Sequence, residues 1–131
     1  MINVIGLGYI GLPTALMLAV SGNTVVGTDK NENVVNSLKN NRLTFQEKGL
    51  NELFSRAVEN GIQFTEEYME ADVYIISVPT PYDKVSKKVD TGYIEAAVHS
   101  VLKVCREDSV IVVESTISPG VIDKNIRPIV N

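Results

Sequence analysis

Residues 2–20 run from a short β-branched stretch, Ile2-Asn3-Val4-Ile5, through Gly6-Leu7-Gly8-Tyr9-Ile10-Gly11 into a helix-compatible segment from about Ile10 to Val20. A strand, a glycine turn and a helix in that order leave few folds open. Pro13 falls in the first helical turn, where its missing N–H has no intrahelical partner to lose, and Ser21-Gly22-Asn23 supplies the stop. Thr24 to Thr28 reads as a second strand ending at Asp29. Val34, Val35 and Leu38 then share one helix face before Asn40-Asn41. Leu50, Leu53, Phe54, Ala57 and Val58 make the stripe of another helix, closed by Asn60-Gly61. Ile62-Gln63-Phe64 is a short third strand. Thr65 caps a turn that sets Glu66 and Glu67 at its positive end, and Ala71 to Val78 reads as a buried fourth strand stopped by Pro79-Thr80-Pro81. Tyr82 to Gly92 is polar and lysine-bearing, which predicts a surface loop. Asp90 caps a helix whose stripe is Ile94, Ala97, Val98, Val101, Leu102 and Cys105; Ser109 to Val113 is a fifth strand, and Ser118-Pro119-Gly120 starts a last helix.

Strands alternating with helices imply parallel strands joined by right-handed crossovers. The expectation is an α/β fold: a doubly wound parallel sheet of the Rossmann type, strand order 3-2-1-4-5, with helices on both faces and one domain over residues 1–131. A formal charge of −4 is the wrong sign for gripping a phosphate backbone, so nucleic acid is not an expected partner. The longest apolar run, Ala15 to Val20, is far short of the ~20 residues a membrane helix needs. A single cysteine and a strand beginning at Ile2 point to a reducing, cytoplasmic setting without a leader.

In such a sheet the ligand lies beyond the strand C-termini, at the switch between strands 1 and 4. Gly6 permits the tight exit from the strand, Gly8 lets a pyrophosphate approach the backbone, and Gly11 lets helix and sheet pack closely. The helix N-terminus then meets the phosphates with free N–H groups and a partial positive charge. Asp29 stands where it can accept hydrogen bonds from both hydroxyls of an adenosine ribose, and it repels a 2′-phosphate by up to ~4 kcal/mol per charge pair at 4 Å. NAD is therefore favoured over NADP, although the adjacent Lys30 pulls the other way. A solvated helix cap is the other role open to Asp29. Val78-Pro79-Thr80-Pro81 and Glu114-Ser115-Thr116 end strands 4 and 5, where they border the nicotinamide half or serve only as strand stops. His99 lies on the polar face of its helix between Glu95 and Lys103, and Cys105 closes the apolar stripe, so neither reads as catalytic. Lys84, Lys87 and Lys88 read as solvated loop charge, and Glu66, Glu67 and Glu70 do not make a metal site.

Gly6-Leu7-Gly8-Tyr9-Ile10-Gly11-Leu12-Pro13, Glu47-Lys48-Gly49-Leu50, Val78-Pro79-Thr80-Pro81, and Glu114-Ser115-Thr116 with Pro119-Gly120 together resemble the N-terminal domain of the UDP-glucose/UDP-N-acetylmannosamine dehydrogenase family. The resemblance spans the whole chain with its motifs in order. Tyr9-Ile10 and the Pro79-Thr80-Pro81 loop separate it from hydroxyisobutyrate-type and 6-phosphogluconate-type dehydrogenases. It implies a protein that oxidises the C6 alcohol of a UDP-sugar twice, to the uronate, with two NAD⁺ and a cysteine thiohemiacetal. It also implies that Tyr9, Ile10, Asp29, Thr80 and Thr116 contact NAD, and that Thr116 supports catalysis by orienting the water or hydroxyl at the reacting centre. With the flanking residues, the expected cofactor set is Gly6, Gly8, Tyr9, Ile10, Gly11, Asp29, Lys30, Val78, Pro79, Thr80, Ser115 and Thr116. Val34 stands where the family often has a basic residue, which removes one contact on the adenosine side. The Glu-Ser-Thr form of the strand-5 motif is closer to the N-acetylhexosamine branch, favouring UDP-N-acetyl-D-mannosamine. The resemblance further implies that the family's catalytic cysteine, lysine and asparagine, the glutamate of its next loop, the connecting helix that supports a homodimer and the sugar-nucleotide domain follow Asn131; Cys105 does not match that cysteine, and the 131 residues alone are expected to be inactive. A stand-alone nucleotide-sensing module of the same fold is the rival reading.

Overall fold

A computed structural model describes residues 1–115, 120 and 122–130. In chain order the elements are β1 (Ile2–Ile5), α1 (Gly11–Val20), β2 (Val25–Thr28), α2 (Glu32–Lys39), α3 (Leu50–Glu59), β3 (Gln63–Thr65), β4 (Val73–Ile76), β5 (Tyr82–Asp83), β6 (Lys88–Val89), α4 (Gly92–Leu102) and β7 (Val110–Val113). A π-helical turn, Ile122–Ile126, and α5 (Arg127–Val130) follow. The five-stranded sheet is ordered β3-β2-β1-β4-β7 and every neighbouring pair is parallel. That is the expected 3-2-1-4-5 order, with β7 as its fifth strand.

β1 sits at the centre because both its faces carry core side chains. Val4 packs with Leu12, Leu16, Val25 and Phe54 on the α1/α3 side, and Ile5 packs with Tyr74, Ile76, Ile94 and Val98 on the α4 side. Each such fully buried aliphatic side chain is worth about 1.5–3 kcal/mol. Asn3 is equally buried, and its carboxamide is fully used: it donates to the Val26 carbonyl (3.0 Å) and Thr28 Oγ1 (2.8 Å), and its oxygen accepts from the Met69 N–H (3.1 Å). Thr28 Oγ1 in turn donates to the Glu67 carbonyl at 2.9 Å. A buried polar relay therefore ties β1 and the end of β2 to the turn after β3.

Several elements differ from the sequence reading. The hydrophobic run at 71–78 yields only Val73–Ile76 as strand, because the turn before it is closed by Tyr74, whose hydroxyl accepts from the Ala71 N–H and donates to the Met69 carbonyl. Ser109 is not in β7; its hydroxyl donates to the Ala71 carbonyl and accepts from the Arg106 N–H, which closes the turn before the strand. The 82–92 segment is not an irregular loop. It forms an antiparallel hairpin, β5 with β6, with Lys87 at φ 57° in the turn. Asp90, expected to cap α4, stands one residue before the cap: Thr91 is the N-cap and makes no side-chain capping hydrogen bond, while Asp90 Oδ1 accepts from the Gly92 N–H at 2.8 Å in the turn that leads into the helix. Ser118 and Pro119, expected to open the last helix, lie outside the described residues.

Among the described residues β7 is the boundary strand of the sheet, paired only with β4, and it leaves Val110 and Val112 exposed on the face away from α4. At the opposite end of the strands from the glycine turn, Asp72 holds the N-terminal amine at 2.6 Å and also pairs with Arg106. The amine first and then Arg106 keep the Asp72 carboxyl below its ordinary pKa, and Asp72 in turn raises that of Arg106. No helix among the described residues is long and apolar enough to cross a membrane.

Candidate functional site

The registers Ile5↔Thr28 and Ile5↔Ile76 bring the C-terminal ends of β1, β2 and β4 to one edge, where the chain reverses direction across the sheet. A cleft opens there in two adjoining cavities. One, of about 380 Å³, is lined by the glycine turn from Gly6 to Ile10 with Asp29, Ser77, Val78, Pro79, Thr80 and Ser115. The other, of about 200 Å³, is lined by Asp29, Lys30, Asn31, Tyr68, Val78, Pro79, Tyr93 and Ala97, among others. Gly6, Asp29, Val78 and Pro79 border both. Together they have the volume of a small-molecule site.

The three glycines of the turn face different surroundings. Gly6 has φ +95°, and a Cβ there would lie 2.4 Å from the Ser77 carbonyl oxygen, so the turn exits β1 pressed against the end of β4. At Gly11 a Cβ would lie 1.8 Å from the Gly6 carbonyl oxygen; this residue is buried under the turn and lines neither cavity. Nothing stands within 4 Å of a Cβ built on Gly8, which fronts open space in the larger cavity.

The electrostatics of the turn are set by what α1 lacks. It has no side-chain cap and no acidic residue in its first turn, whereas α2 is capped by Asn31, which accepts from the Asn33 N–H, and carries Glu32. The positive end of α1 is left for an external anion. Asp29 is held across from it: Oδ2 accepts from the Leu7 N–H and Oδ1 from the Asn31 N–H, both at 2.9 Å. Each carboxylate oxygen has two lone pairs, so one on each remains for hydroxyl donors. With Asn31 as the cap of α2, the cap reading of Asp29 is not needed.

The rim is braced by side chains. Ser115 Oγ donates to the Val78 carbonyl at 2.8 Å, and Thr14 Oγ1 donates to Glu114 Oε1 at 2.7 Å, which fastens the first turns of α1 to the end of β7. Tyr68 overhangs the smaller cavity; burial pushes its phenol above the usual pKa, opposed by a hydrogen bond to the Ser100 side chain and assisted by the Asp29 charge. Tyr9 is 78% exposed, with its ring against Phe45 at a centroid distance of 4.7 Å.

Of the residues singled out from sequence, Gly6, Gly8, Tyr9, Ile10, Asp29, Lys30, Val78, Pro79, Thr80 and Ser115 border the cleft, Gly11 lies beneath it, and Thr116 falls outside the described residues. Tyr68 and Tyr93 carry no signal in the sequence because each sits on a crossover with no motif around it, and Ala97, read only as part of an apolar helix stripe, also borders the smaller cavity. His99 is exposed, and Cys105 packs at the edge of the α4 core; neither lines the cleft.

The sequence matches, over residues 1–131, the model of the UDP-glucose/GDP-mannose dehydrogenase family, NAD binding domain. It is 47% identical over 122 residues to a UDP-N-acetyl-D-mannosamine dehydrogenase of Methanococcus maripaludis, covering 90% of this chain and 29% of that protein. Among solved structures it superposes on the UDP-N-acetyl-mannosamine dehydrogenase of Staphylococcus aureus with a TM-score of 0.93 at 35% identity, covering 98% of this chain and 32% of that one. On the GDP-mannose dehydrogenase of Pseudomonas aeruginosa the TM-score is 0.90 at 28% identity, with 98% and 31% covered. The chain thus spans about three tenths of the length of the curated relatives it matches.

Proposed function

The chain belongs to the UDP-glucose/GDP-mannose dehydrogenase family, as an NAD-binding domain, and from that premise we propose that it is the cofactor half of a nucleotide-sugar 6-dehydrogenase acting on UDP-N-acetyl-D-mannosamine. The observation that carries the cofactor reading is the pairing of an uncapped α1 N-terminus, open at Gly8, with an Asp29 carboxylate anchored by two backbone N–H groups and still able to accept two more hydrogen bonds. Those features fit a diphosphate and an adenosine ribose side by side.

In this reading the backbone from Gly6 to Gly11 holds the pyrophosphate, Asp29 the ribose hydroxyls, and the smaller cavity beside Lys30 and Tyr68 the adenine. Val78, Pro79, Thr80 and Ser115 border the nicotinamide half, and Thr116 is assigned to the same end on sequence grounds. When bound, NAD supplies a hydride acceptor. The chain's own part is to bind it, orient its ring toward the strand tips and, through the Asp29 charge, discriminate against a 2′-phosphate. The cleft gains no cysteine or histidine from the described residues. The thiol step implied by the family resemblance, the sugar-nucleotide site and the dimer contacts are therefore assigned to parts of the whole enzyme outside residues 1–131. A reducing cytoplasmic setting suits the one free cysteine.

Titration calorimetry of the 131-residue chain tests the cofactor assignment: NAD is expected to bind more tightly than NADP, with no turnover. Tighter NADP binding, or no binding of either at millimolar concentration, overturns it. For the substrate, NADH formation by the whole gene product is expected to be faster with UDP-N-acetyl-D-mannosamine than with UDP-glucose, and the reverse order refutes that choice.

A further inference from the structure

We propose that Phe45 is a positioning residue for the dinucleotide, acting through Tyr9 to hold the glycine turn in its binding conformation. The proposal rests on the cofactor reading above. Tyr9 lies between Gly8 and Ile10 in the turn, borders the larger cavity and is largely exposed, so its own burial does little to fix it. What it does touch is the Phe45 ring, inclined at 50° with centroids 4.7 Å apart, within the range of attractive aromatic pairs. Phe45 belongs to the connection between α2 and α3 and is itself anchored, packing against the buried cluster formed by α1, α3 and the sheet. It lines neither cavity, so its influence on a dinucleotide has to pass through Tyr9.

The need for such an anchor follows from the turn's composition. Gly8 has no Cβ and fronts open space, which gives the backbone freedom that must be lost when a diphosphate is bound. A neighbour pinned to the core restricts that freedom in the free protein, so less is lost on binding. The Glu47-Lys48-Gly49-Leu50 motif, which borders no part of the dinucleotide cleft, then gains a rationale: Gly49, at φ 81°, turns the chain into α3 shortly after Phe45, with Leu50 buried behind it.

The test is a double-mutant cycle read by NAD titration calorimetry, with thermal denaturation as the control for folding. Phe45→Leu, which keeps an apolar side chain in the core but removes the ring, is expected to weaken NAD binding by about three- to tenfold. Phe45→Tyr, which keeps the ring, should stay within about twofold of the parent. In a Tyr9→Ala background Phe45→Leu should add less than about twofold, because the residue through which it acts is gone. Parental affinity for Phe45→Leu overturns the proposal, and so does an undiminished loss in the Tyr9→Ala background, which would mean general loosening. A parent chain that does not bind NAD removes the cofactor reading and this inference with it; a parent that binds beside an equally tight Phe45→Leu removes this inference alone.

Discussion

Gly8→Ala and Gly11→Ala add the same methyl group three residues apart in one turn, and the structure requires opposite outcomes. At Gly11 the new Cβ would sit 1.8 Å from the Gly6 carbonyl oxygen, where ordinary contact begins near 3.4 Å, and 3.1 Å from Ser77 Cβ. The obstacle is main chain in the turn itself, so no rotamer change relieves it, and α1 must move away from β1 by more than an ångström. Overpacking of this kind costs about 1–3 kcal/mol, and an immobile backbone partner places Gly11→Ala at the upper end. For a chain of this length roughly 3–5 °C of melting temperature is lost per kcal/mol, so a drop of about 10 °C is expected. Gly8→Ala meets nothing within 4 Å and should melt within about 2 °C of the parent. Its Cβ instead enters the space assigned to the pyrophosphate, and the same overpacking range, now charged to binding, corresponds to about 10- to 100-fold weaker NAD affinity. Differential scanning calorimetry and NAD titration of both variants check the pair. A Gly8→Ala variant with unaltered NAD affinity, or a Gly11→Ala variant as stable as the parent, would refute the division of labour between the two glycines.

Asp29→Asn removes the charge that faces a 2′-phosphate while Lys30 stays in the cavity, so the preference for NAD over NADP should fall by about tenfold or more, well within the ~4 kcal/mol ceiling for a close charge pair; an unchanged ratio in paired titrations would count against Asp29 as the discriminator. Asn3→Ala strands the Met69 N–H and removes both donors to β2, for which urea denaturation should show a loss of about 2–3 kcal/mol. The Asp72 carboxyl is lowered in the folded state, so its contribution is complete above the unfolded carboxylate range near pH 4 and disappears as pH falls through the folded value. The melting-temperature gap between parent and Asp72→Asn should accordingly be open at pH 7 and closed in strong acid; a gap that persists there would show that the residue acts through something other than its charge.

The glycine turn, the strand order and the helix stripes were legible in the sequence because each is a local pattern whose period or conformational demand appears in adjacent residues. Gly6 and Gly8 could be assigned to a cleft that way, Gly11 to the close packing of α1 beneath it, and Asp29, one step past the end of β2, to the cleft again. Tyr68 and Tyr93 could not. They reach the smaller cavity only because the relay from Asn3 through Thr28 fixes the turn after β3, and because α4 crosses back over the sheet. Nothing in the neighbourhood of either tyrosine marks that outcome. The 82–89 hairpin was missed for a related reason: two-residue strands are too short for alternation to register, and the turn is made by a lysine with positive φ in place of a glycine. β4 is shorter than the expected Ala71–Val78 because the apolar Ala71 and Val78 at its ends lie beyond Asp72 and Ser77, where Tyr74 closes a turn on one side and Pro79 follows on the other.

Val110-Ile111-Val112-Val113 carries no charge, no proline and no bulge, the devices by which sheet margins ordinarily discourage strangers. Its outward amides and carbonyls, with two valines beside them in solvent, offer a template on which another extended segment can continue the ladder. Whatever lies alongside that margin in the working enzyme also shields it; for the 131 residues by themselves, self-association should begin there, be suppressed by Val112→Lys, and leave the glycine turn after β1 and Asp29 after β2, two and three strands from β7, able to report binding.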